Sequence, residues 1–390
     1  MLDELLYGDY NKVSIQKPVI TISVPRGGTT SFHRTLALDE RFVTPNMLEL
    51  VMPFLSLHKL VLKLNQLSPG AVKKLEQFLK WINGVTPAVD ARHPISLLAP
   101  DADDILLGEW HWISVGAVRT FPVAEYWKKH YQMNLHDKER RERSLLLHKR
   151  LCQKILYHRG GHSDVTTTSE RPDDRPRRHC RLLLRSHLSP CIQDFKRVYP
   201  DAHIVGILRD PVDVLQSFAG LSTTAVLACT GINMLDDNCD LVNNDGSRSN
   251  NNNNNNNNNN RSASKIPWPQ LFVEILSDMM GNEISLYDER DIIHVENPWK
   301  GRCHHVSFEE FKNDPLKALE YLYKQTELPL TQQMQLSVQK GLAHHESYKT
   351  RHAYQNPTLM EMNLDKETYL NLPNVRRYGE LLQERKLKER

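Results

Sequence analysis

Four short apolar runs, each followed by a stretch with helical spacing, set the pattern of this sequence. They cover residues 19–24, 181–185, 203–208 and 304–308. Runs of this length are typical of strands, and strands that alternate with helices favour a parallel sheet covered by helices. We therefore predict an α/β fold with a central, mostly parallel sheet flanked by helices.

Longer patterned segments lie between the first two predicted strands. Residues 71–81 and 105–131 have helical spacing and are rich in aromatic residues, and they are expected to cap one edge of the sheet. The apolar stretch 48–57 is interrupted by Pro53 and is too short for a bilayer span. It predicts a buried helix, and no integral membrane span is expected.

Two segments have the composition of inserts. Residues 159–178 contain GG, TTT and PDDRP and are nearly free of apolar side chains, which predicts a mobile loop. Residues 236–265 surround an unbroken asparagine tract and predict a disordered, low-complexity insert. The remainder of residues 1–390 reads as a single domain.

Composition excludes several classes of protein. The formal charge of +3 comes from 50 basic and 47 acidic residues, so the chain as a whole is not a dedicated nucleic-acid or membrane-surface protein. Any anion binding must be local. Six cysteines without a CxxC pair, and histidine pairs that are adjacent in sequence, indicate no metal site. The acidic N-terminus lacks an export signal, and a cytoplasmic location is expected.

The strongest motif is a loop that joins the first predicted strand to a helix. The strand ends at Val24, the loop is Pro-Arg-Gly-Gly over residues 25–28, and helical character begins at Thr29. Glycines let the backbone approach an oxyanion, the helix start presents N–H groups, and Arg26 and Thr30 add a charge and a hydroxyl. The loop lacks the lysine and the length of a Walker motif. An ordinary glycine turn is the alternative.

A second anion site is predicted after the strand 203–208. Arg209 follows this strand, Asp210 has the position of a helix N-cap, and Pro211 has the first helical position. Ser217 lies about two turns into that helix, so it and Arg209 can reach one phosphate at the carboxyl end of the sheet. The alternative is an Arg–Asp pair beside an ordinary helix serine.

These segments resemble the donor-binding motifs of PAPS-dependent sulfotransferases. The loop 25–30 followed by His33 and Arg34 resembles the 5′-phosphosulfate loop of the branch that reads Pro-Arg-Ser-Gly-Thr-Thr, with Gly27 in place of the usual serine. Stretches 93–107, 121–127 and 306–323 fit the same branch. The resemblance implies a three-layer, P-loop-like fold and PAPS as the donor co-substrate.

The resemblance also implies which residues hold each end of the donor. The 5′ end would be held by Arg26, Gly27, Gly28, Thr29, Thr30 and Ser31. Arg209 and Ser217 match the family's 3′-phosphate motif in type and spacing. Near the C-terminus, Lys349 and Arg351 are candidates for the same phosphate, although a solvated basic turn is an equal alternative.

The candidate general base is His187. The segment Arg-Ser-His-Leu after the strand 181–185 resembles the family's segment that carries the catalytic histidine. Sulfuryl transfer needs a group that accepts the hydroxyl proton and cations that stabilise developing charge, roles that fit His187 and Arg26. Arg185 is then expected to contact the donor. A structural histidine is the alternative, and His93 and Glu109 are less favoured bases.

Five aromatic residues are candidates for the lining of an acceptor pocket. Aromatic residues that cluster in sequence could line it, or could simply form core: Trp110, Trp112, Phe121, Tyr126 and Trp127. The predicted activity is in-line transfer of a sulfuryl group from PAPS to a hydroxyl of a small molecule, with lipid-like and aromatic acceptors both open. A phosphoryl-transfer kinase and a non-catalytic nucleotide-binding module are the alternatives.

Overall fold

A parallel sheet between two layers of helices organises the chain. The computed structural model describes residues 2–68, 70–82, 85–92, 96–101, 137–159, 180–187, 192–230, 268–287, 299–349 and 356–388. The strands are β1 (Val19–Ile22), β2 (Phe42–Val43), β3 (Arg181–Ser186), β4 (His203–Leu208) and β5 (Cys303–Ser307). The helices before β3 are α1 (Leu2–Tyr7), α2 (Thr29–Leu36), α3 (Met47–Val51), α4 (Leu55–Leu67), α5 (Ala71–Ile82), α6 (Pro87–Arg92) and α7 (Lys138–Arg159). Those after it are α8 (Ile192–Val198), α9 (Pro211–Thr230), α10 (Trp268–Tyr287), α11 (Phe308–Asn313), α12 (Pro315–Gln325), α13 (Gln332–Lys349), α14 (Lys366–Leu370) and α15 (Pro373–Lys388).

The five strands pair in the order β2-β3-β1-β4-β5, and every pairing is parallel. This confirms the predicted α/β class with a central parallel sheet. The four strands expected from the apolar runs are all present, with ends shifted by up to two residues. The sequence pattern missed β2 because its two residues are too few to show a period.

Both faces of the sheet are buried, which explains the continuous apolar runs. Successive side chains point to opposite faces, so Ile20 and Leu184 pack with α7 and α8 on one side. Val19 and Leu183 pack with α2 and α12 on the other side. A further core lies between α9, α10 and α15 and includes Val24, just beyond the end of β1.

The order of the strands brings three chain segments to one edge. β1 lies between β3 and β4, with Ile22 opposite Ser186 and Thr21 opposite Val205. Because parallel strands end at the same edge, the loops that follow β1, β3 and β4 are neighbours there. This is the edge at which open α/β sheets bind their ligands.

One expectation for the helices is wrong and another is confirmed. The stretch 48–57 is not one buried helix: α3 ends at Val51, α4 begins at Leu55, and Pro53 lies between them. Proline has no N–H to donate and interrupts a helix. The predicted helix over 71–81 is present as α5. The predicted helix 105–131 lies outside the described residues, as do residues 160–178 and 236–265 of the two predicted inserts.

Among the described helices, none combines the length and the apolar composition that a membrane span requires.

The start of α12 provides a test of local helix energetics. Exposed Asp314 accepts a hydrogen bond from the backbone N–H of Lys317 at 3.1 Å, and Pro315 occupies the first turn. Asp314→Ala removes this cap and should lower the free energy of unfolding by about 1 kcal/mol. Asp314→Asn keeps a capping oxygen and should stay within a few tenths of a kcal/mol of wild type. Urea denaturation measures both, and equal losses in the two variants would contradict the capping role.

Candidate active site at the carboxyl edge of the sheet

The loop after β1 depends on two residues with positive φ angles. Gly28 has φ of 100° and is the N-cap residue of α2, and Arg26 has φ of 68°. A Cβ added at Gly28 would lie 2.3 Å from the Phe308 ring, so only glycine fits there. A Cβ at Gly27 would lie 2.8 Å from Ser23 Oγ. In this conformation, therefore, the serine usual at position 27 would need its neighbours to move.

The first turn of α2 presents hydrogen-bond donors at this edge. The helix begins at Thr29, and the first N–H bonded within this turn is that of Phe32, which donates to the Gly28 carbonyl at 3.3 Å. The N–H groups of Thr29, Thr30 and Ser31 therefore have no partner from the helix itself. With the helix dipole, they form a partial positive charge suited to an anion.

The second predicted anion segment has the local structure that its sequence indicates. Asp210 accepts the backbone N–H groups of Val212 at 2.9 Å and Asp213 at 3.2 Å, and Pro211 is the first residue of α9. Arg209 lies between the end of β4 at Leu208 and this N-cap. Ser217 lies two turns along α9 and is buried.

The two segments meet in space. Arg209 Nη1 donates to the carbonyl oxygen of Arg26 at 3.2 Å, and Arg26 Nε donates to Ser217 Oγ at 3.0 Å. The Arg209 guanidinium also lies 5.0 Å above the Phe308 ring and pairs with Asp213 at 3.2 Å. Arg26 and Arg209 are 183 residues apart in sequence and belong to one cationic edge.

His187 lies at the same edge, directly after β3. Its Nδ1 is 2.9 Å from the carbonyl oxygen of Ser23, which precedes the loop. A carbonyl can only accept, so Nδ1 carries the proton and Nε2 of the neutral ring keeps its lone pair. The side chain is half-buried. The contact orients the imidazole relative to the loop.

Arg185, expected to contact the donor, is held in a buried ion pair. Its side chain is 2% exposed and Nη2 lies 2.5 Å from Asp101 Oδ1. His33 is also buried and lies 2.7 Å from Thr44 Oγ1 through Nε2. Burial, reinforced by the guanidiniums of Arg185 and Arg34, lowers the pKa of His33 well below its usual value. His33 is therefore neutral at physiological pH, and the expected contact of Arg185 with the donor stays a prediction.

A buried carboxyl group beneath the loop was missed by sequence reasoning. Glu283, on α10, is 1% exposed, and its Oε2 accepts the backbone N–H of Val24 at 2.8 Å. Burial raises the pKa of Glu283 to about 8, so the acid is mostly neutral at pH 7. The available signal was an acidic residue at position 283 in the mostly apolar segment 268–287, but Glu274 and Asp278 lie in the same segment and nothing in that pattern singles out Glu283 or indicates its partner.

Other predicted site residues lie outside the described residues: His93, Glu109, Arg351 and the aromatic cluster Trp110, Trp112, Phe121, Tyr126 and Trp127. The backbone of Lys349 closes α13, and its side chain lies outside the description. Asn356 accepts a hydrogen bond from Arg92 at 2.8 Å, and the Arg92 carbonyl is 3.4 Å from Arg26 Nη1. Within the described ranges, no three His, Cys, Asp or Glu side chains cluster as metal ligands would.

Two solved sulfotransferase structures have folds similar to that of this chain. The sulfotransferase STF9 from Mycobacterium avium superposes with a TM-score of 0.65 at 16% identity, covering 98% of this chain and 80% of that one. The sulfotransferase STF1 from Mycobacterium tuberculosis H37Rv gives 0.62 at 14% identity, covering 97% and 80%. At such identities the likeness concerns the fold alone.

Searching curated protein sequences produced no match. The sequence profile of the Sulfotransferase family, by contrast, matches residues 18–252, more than half of the chain, and this range contains the loop after β1, His187, Arg209 and Ser217. The chain belongs to the sulfotransferase family.

Proposed function

We propose that this sulfotransferase uses PAPS as its donor and transfers the sulfuryl group to a hydroxyl of a small molecule. The observation that supports this best is the direct contact between the two anion-binding segments, from Arg209 to Arg26 and from Arg26 to Ser217. PAPS carries anionic groups at its 5′ and 3′ ends. Two cationic sites that touch each other suit such a molecule better than a single phosphate.

The residues at the edge fit the two ends of PAPS. For the 5′ end, the first turn of α2 supplies N–H donors, and Thr29, Thr30 and Ser31 supply hydroxyls beside Gly27 and Gly28. For the 3′-phosphate, Arg209 Nε is buried without a hydrogen-bond partner among the described residues. An unpaired buried donor is costly, and an anionic ligand would satisfy it.

In this proposal, PAPS supplies the sulfuryl group and His187 is the general base. Nε2 of His187 would accept the hydroxyl proton of the acceptor as the new O–S bond forms and the bridging S–O bond breaks. The negative charge that develops on the leaving oxygen would be offset by the N–H groups of α2 and by Arg26. Ser23 fixes the tautomer that this role needs, through its contact with Nδ1.

Three properties of this protein stay predictions from the sequence: the lipid-like or aromatic nature of the acceptor, the cytoplasmic location, and the contribution of Arg351 to the 3′-phosphate site. None of them changes the roles proposed for the three loops.

The donor assignment is tested by ligand binding. PAP, the bisphosphate product, should raise the melting temperature more than ATP or NAD, and a ligand at about one hundred times its Kd stabilises by about 2.7 kcal/mol. Arg209→Gln should weaken PAP binding about tenfold or more, because hydrogen bonds to charged groups contribute about 1.5–3 kcal/mol. Arg143→Gln, an exposed arginine on α7, is the control and should bind PAP normally. Tighter binding of ATP than of PAP would favour a kinase.

The role of His187 is tested by separating turnover from binding. His187→Ala should lower kcat about 10²- to 10⁴-fold, the usual contribution of a general base, and should leave PAP affinity nearly unchanged. PAP release with a panel of alcohols and phenols measures turnover, and added imidazole should restore part of it. Wild-type kcat in the variant would rule out this base. Absence of turnover in a wild-type protein that binds PAP would favour a non-catalytic module.

Glu283, which supports the loop through Val24, is mostly protonated in the folded protein at pH 7. Burial raises the pKa of Glu283 more than the hydrogen bonds from the Val24 N–H and from Ser23 lower it, and the nearby hydroxyl groups of Tyr287 and Tyr378 carry no positive charge. The carboxyl group ionises near its ordinary pKa of 4.5 in the unfolded chain and near 8 in the folded protein. Between these values the unfolded state releases a proton that the folded state keeps, so stability falls as pH rises.

Glu283→Gln should remove this pH dependence. The amide is uncharged and has the same shape as the neutral acid, so it keeps an acceptor for the Val24 N–H. Relative to the variant, wild type should lose up to about 1.4 kcal/mol of unfolding free energy per pH unit between about pH 5 and pH 8. Urea denaturation across this range measures the difference. Parallel curves for the two proteins would show that the carboxyl group ionises normally in the fold.

A further inference from the structure

Helices α4 and α5 follow one another and pack together. Their inward side chains, among them Val61 and Val72, join a small core with Met47, Leu48 and Leu97. That core accounts for one face of each helix. We call the two helices, residues 55–82, the α4–α5 hairpin.

The outward face of α4 is apolar. Leu60, Leu64 and Leu67 recur at intervals of four and three residues and therefore lie on one side of the helix. They are 52%, 48% and 74% exposed, which is unusual for three leucines in one stripe. The stripe is not required for the core of the hairpin, because Val61 on the neighbouring face already serves it.

The outward face of α5 adds two aromatic rings. Lys74, Phe78 and Trp81 have the same four-and-three spacing, and the two rings lie 6.2 Å apart. Trp81 is 76% exposed. Exposed, contiguous apolar side chains of this size mark an interaction surface rather than a solvated helix.

The charges around this face are positive. Exposed lysines are present on both helices: Lys59, Lys63, Lys73 and Lys74. The acidic side chain of the hairpin, Glu76, pairs with Lys80 at 3.3 Å. The hairpin thus has a clear positive excess, although the charge of the whole chain is nearly balanced.

We propose that the α4–α5 hairpin docks this protein on the surface of an anionic lipid bilayer. Exposed leucine, phenylalanine and tryptophan side chains along two adjacent helices, together with exposed lysines, are typical of helices that lie in the membrane interface. The lysines would meet anionic headgroups while Phe78 and Trp81 enter the boundary with the acyl chains. The helices lie on the bilayer and do not cross it.

The same charges argue against a second copy as the occupant of this face. In a symmetric dimer the same patch would meet itself and bring Lys63 and Lys74 of both copies together. Like charges at an interface oppose association. An anionic bilayer can pair its headgroups with the lysines and bury the apolar stripe. The docking does not depend on the proposed function, because it is measured as binding without an acceptor or a donor.

Vesicle co-sedimentation with the full chain tests the proposal. Wild type should sediment with vesicles of phosphatidylcholine and phosphatidylserine, and much less with phosphatidylcholine alone. Higher salt should release it, because salt screens the lysine contribution. F78Q/W81Q should weaken binding to the anionic vesicles about tenfold or more. K63Q/K74Q should weaken it about fivefold for each lysine and leave the weak binding to neutral vesicles unchanged.

A matched control is available on α13, where Leu336 and Lys340 are both exposed at a spacing of four residues. L336Q/K340Q removes the same kinds of side chain from another surface and should sediment like wild type. Circular dichroism and thermal melts check that each variant is folded. Three results would overturn the proposal: no sedimentation with anionic vesicles, an equal loss in L336Q/K340Q, or a wild-type dimer that F78Q/W81Q converts to a monomer in light scattering.

Discussion

The hydrogen bond from the Arg209 guanidinium to the Arg26 carbonyl joins the loops that follow β4 and β1, and the whole candidate site is organised around it. Arg26 has φ of 68°, a conformation that costs a non-glycine residue about 1 kcal/mol or more. The charged hydrogen bond to its carbonyl, together with the bond from its side chain to Ser217, helps to offset that cost. The same contacts bring the two candidate phosphate sites together.

The polar groups beneath the loop that follows β1 are also fixed by hydrogen bonds. Val24 is buried, and a buried N–H without a partner costs about 1–3 kcal/mol. Glu283, on α10, accepts the hydrogen bond from the Val24 N–H. Ser23 donates its hydroxyl to the Ile207 carbonyl at 2.7 Å, which ties the loop to β4. The loop is therefore anchored on both sides before any ligand arrives. Such prior organisation lowers the cost of binding a charged ligand.

Positive charge in this protein is concentrated in two regions, although the net charge is small. A net charge of +3 over 390 residues does not suggest an anion-binding protein, yet the fold gathers arginines at the edge of the sheet and lysines on the α4–α5 hairpin. The two positive regions differ in chemistry. At the sheet edge the guanidiniums are partly buried and hydrogen-bonded in defined directions, as recognition of a single nucleotide requires. On the hairpin the lysines are exposed beside apolar side chains, as a diffuse surface of headgroups requires.

By itself, the sequence determined the elements and the local chemistry of this protein. Consecutive apolar residues indicated β1, β3, β4 and β5, and turn and capping residues identified the loop before Thr29 and the start of α9 at Pro211. These signals are readable because they arise from contacts within a few residues. Only the tertiary structure decided which segments meet. The pairing of β1 with both β3 and β4, the position of Glu283 beneath Val24, and the burial of Arg185 against Asp101 depend on contacts between residues far apart in sequence. A pattern of residue types carries no information about such distances.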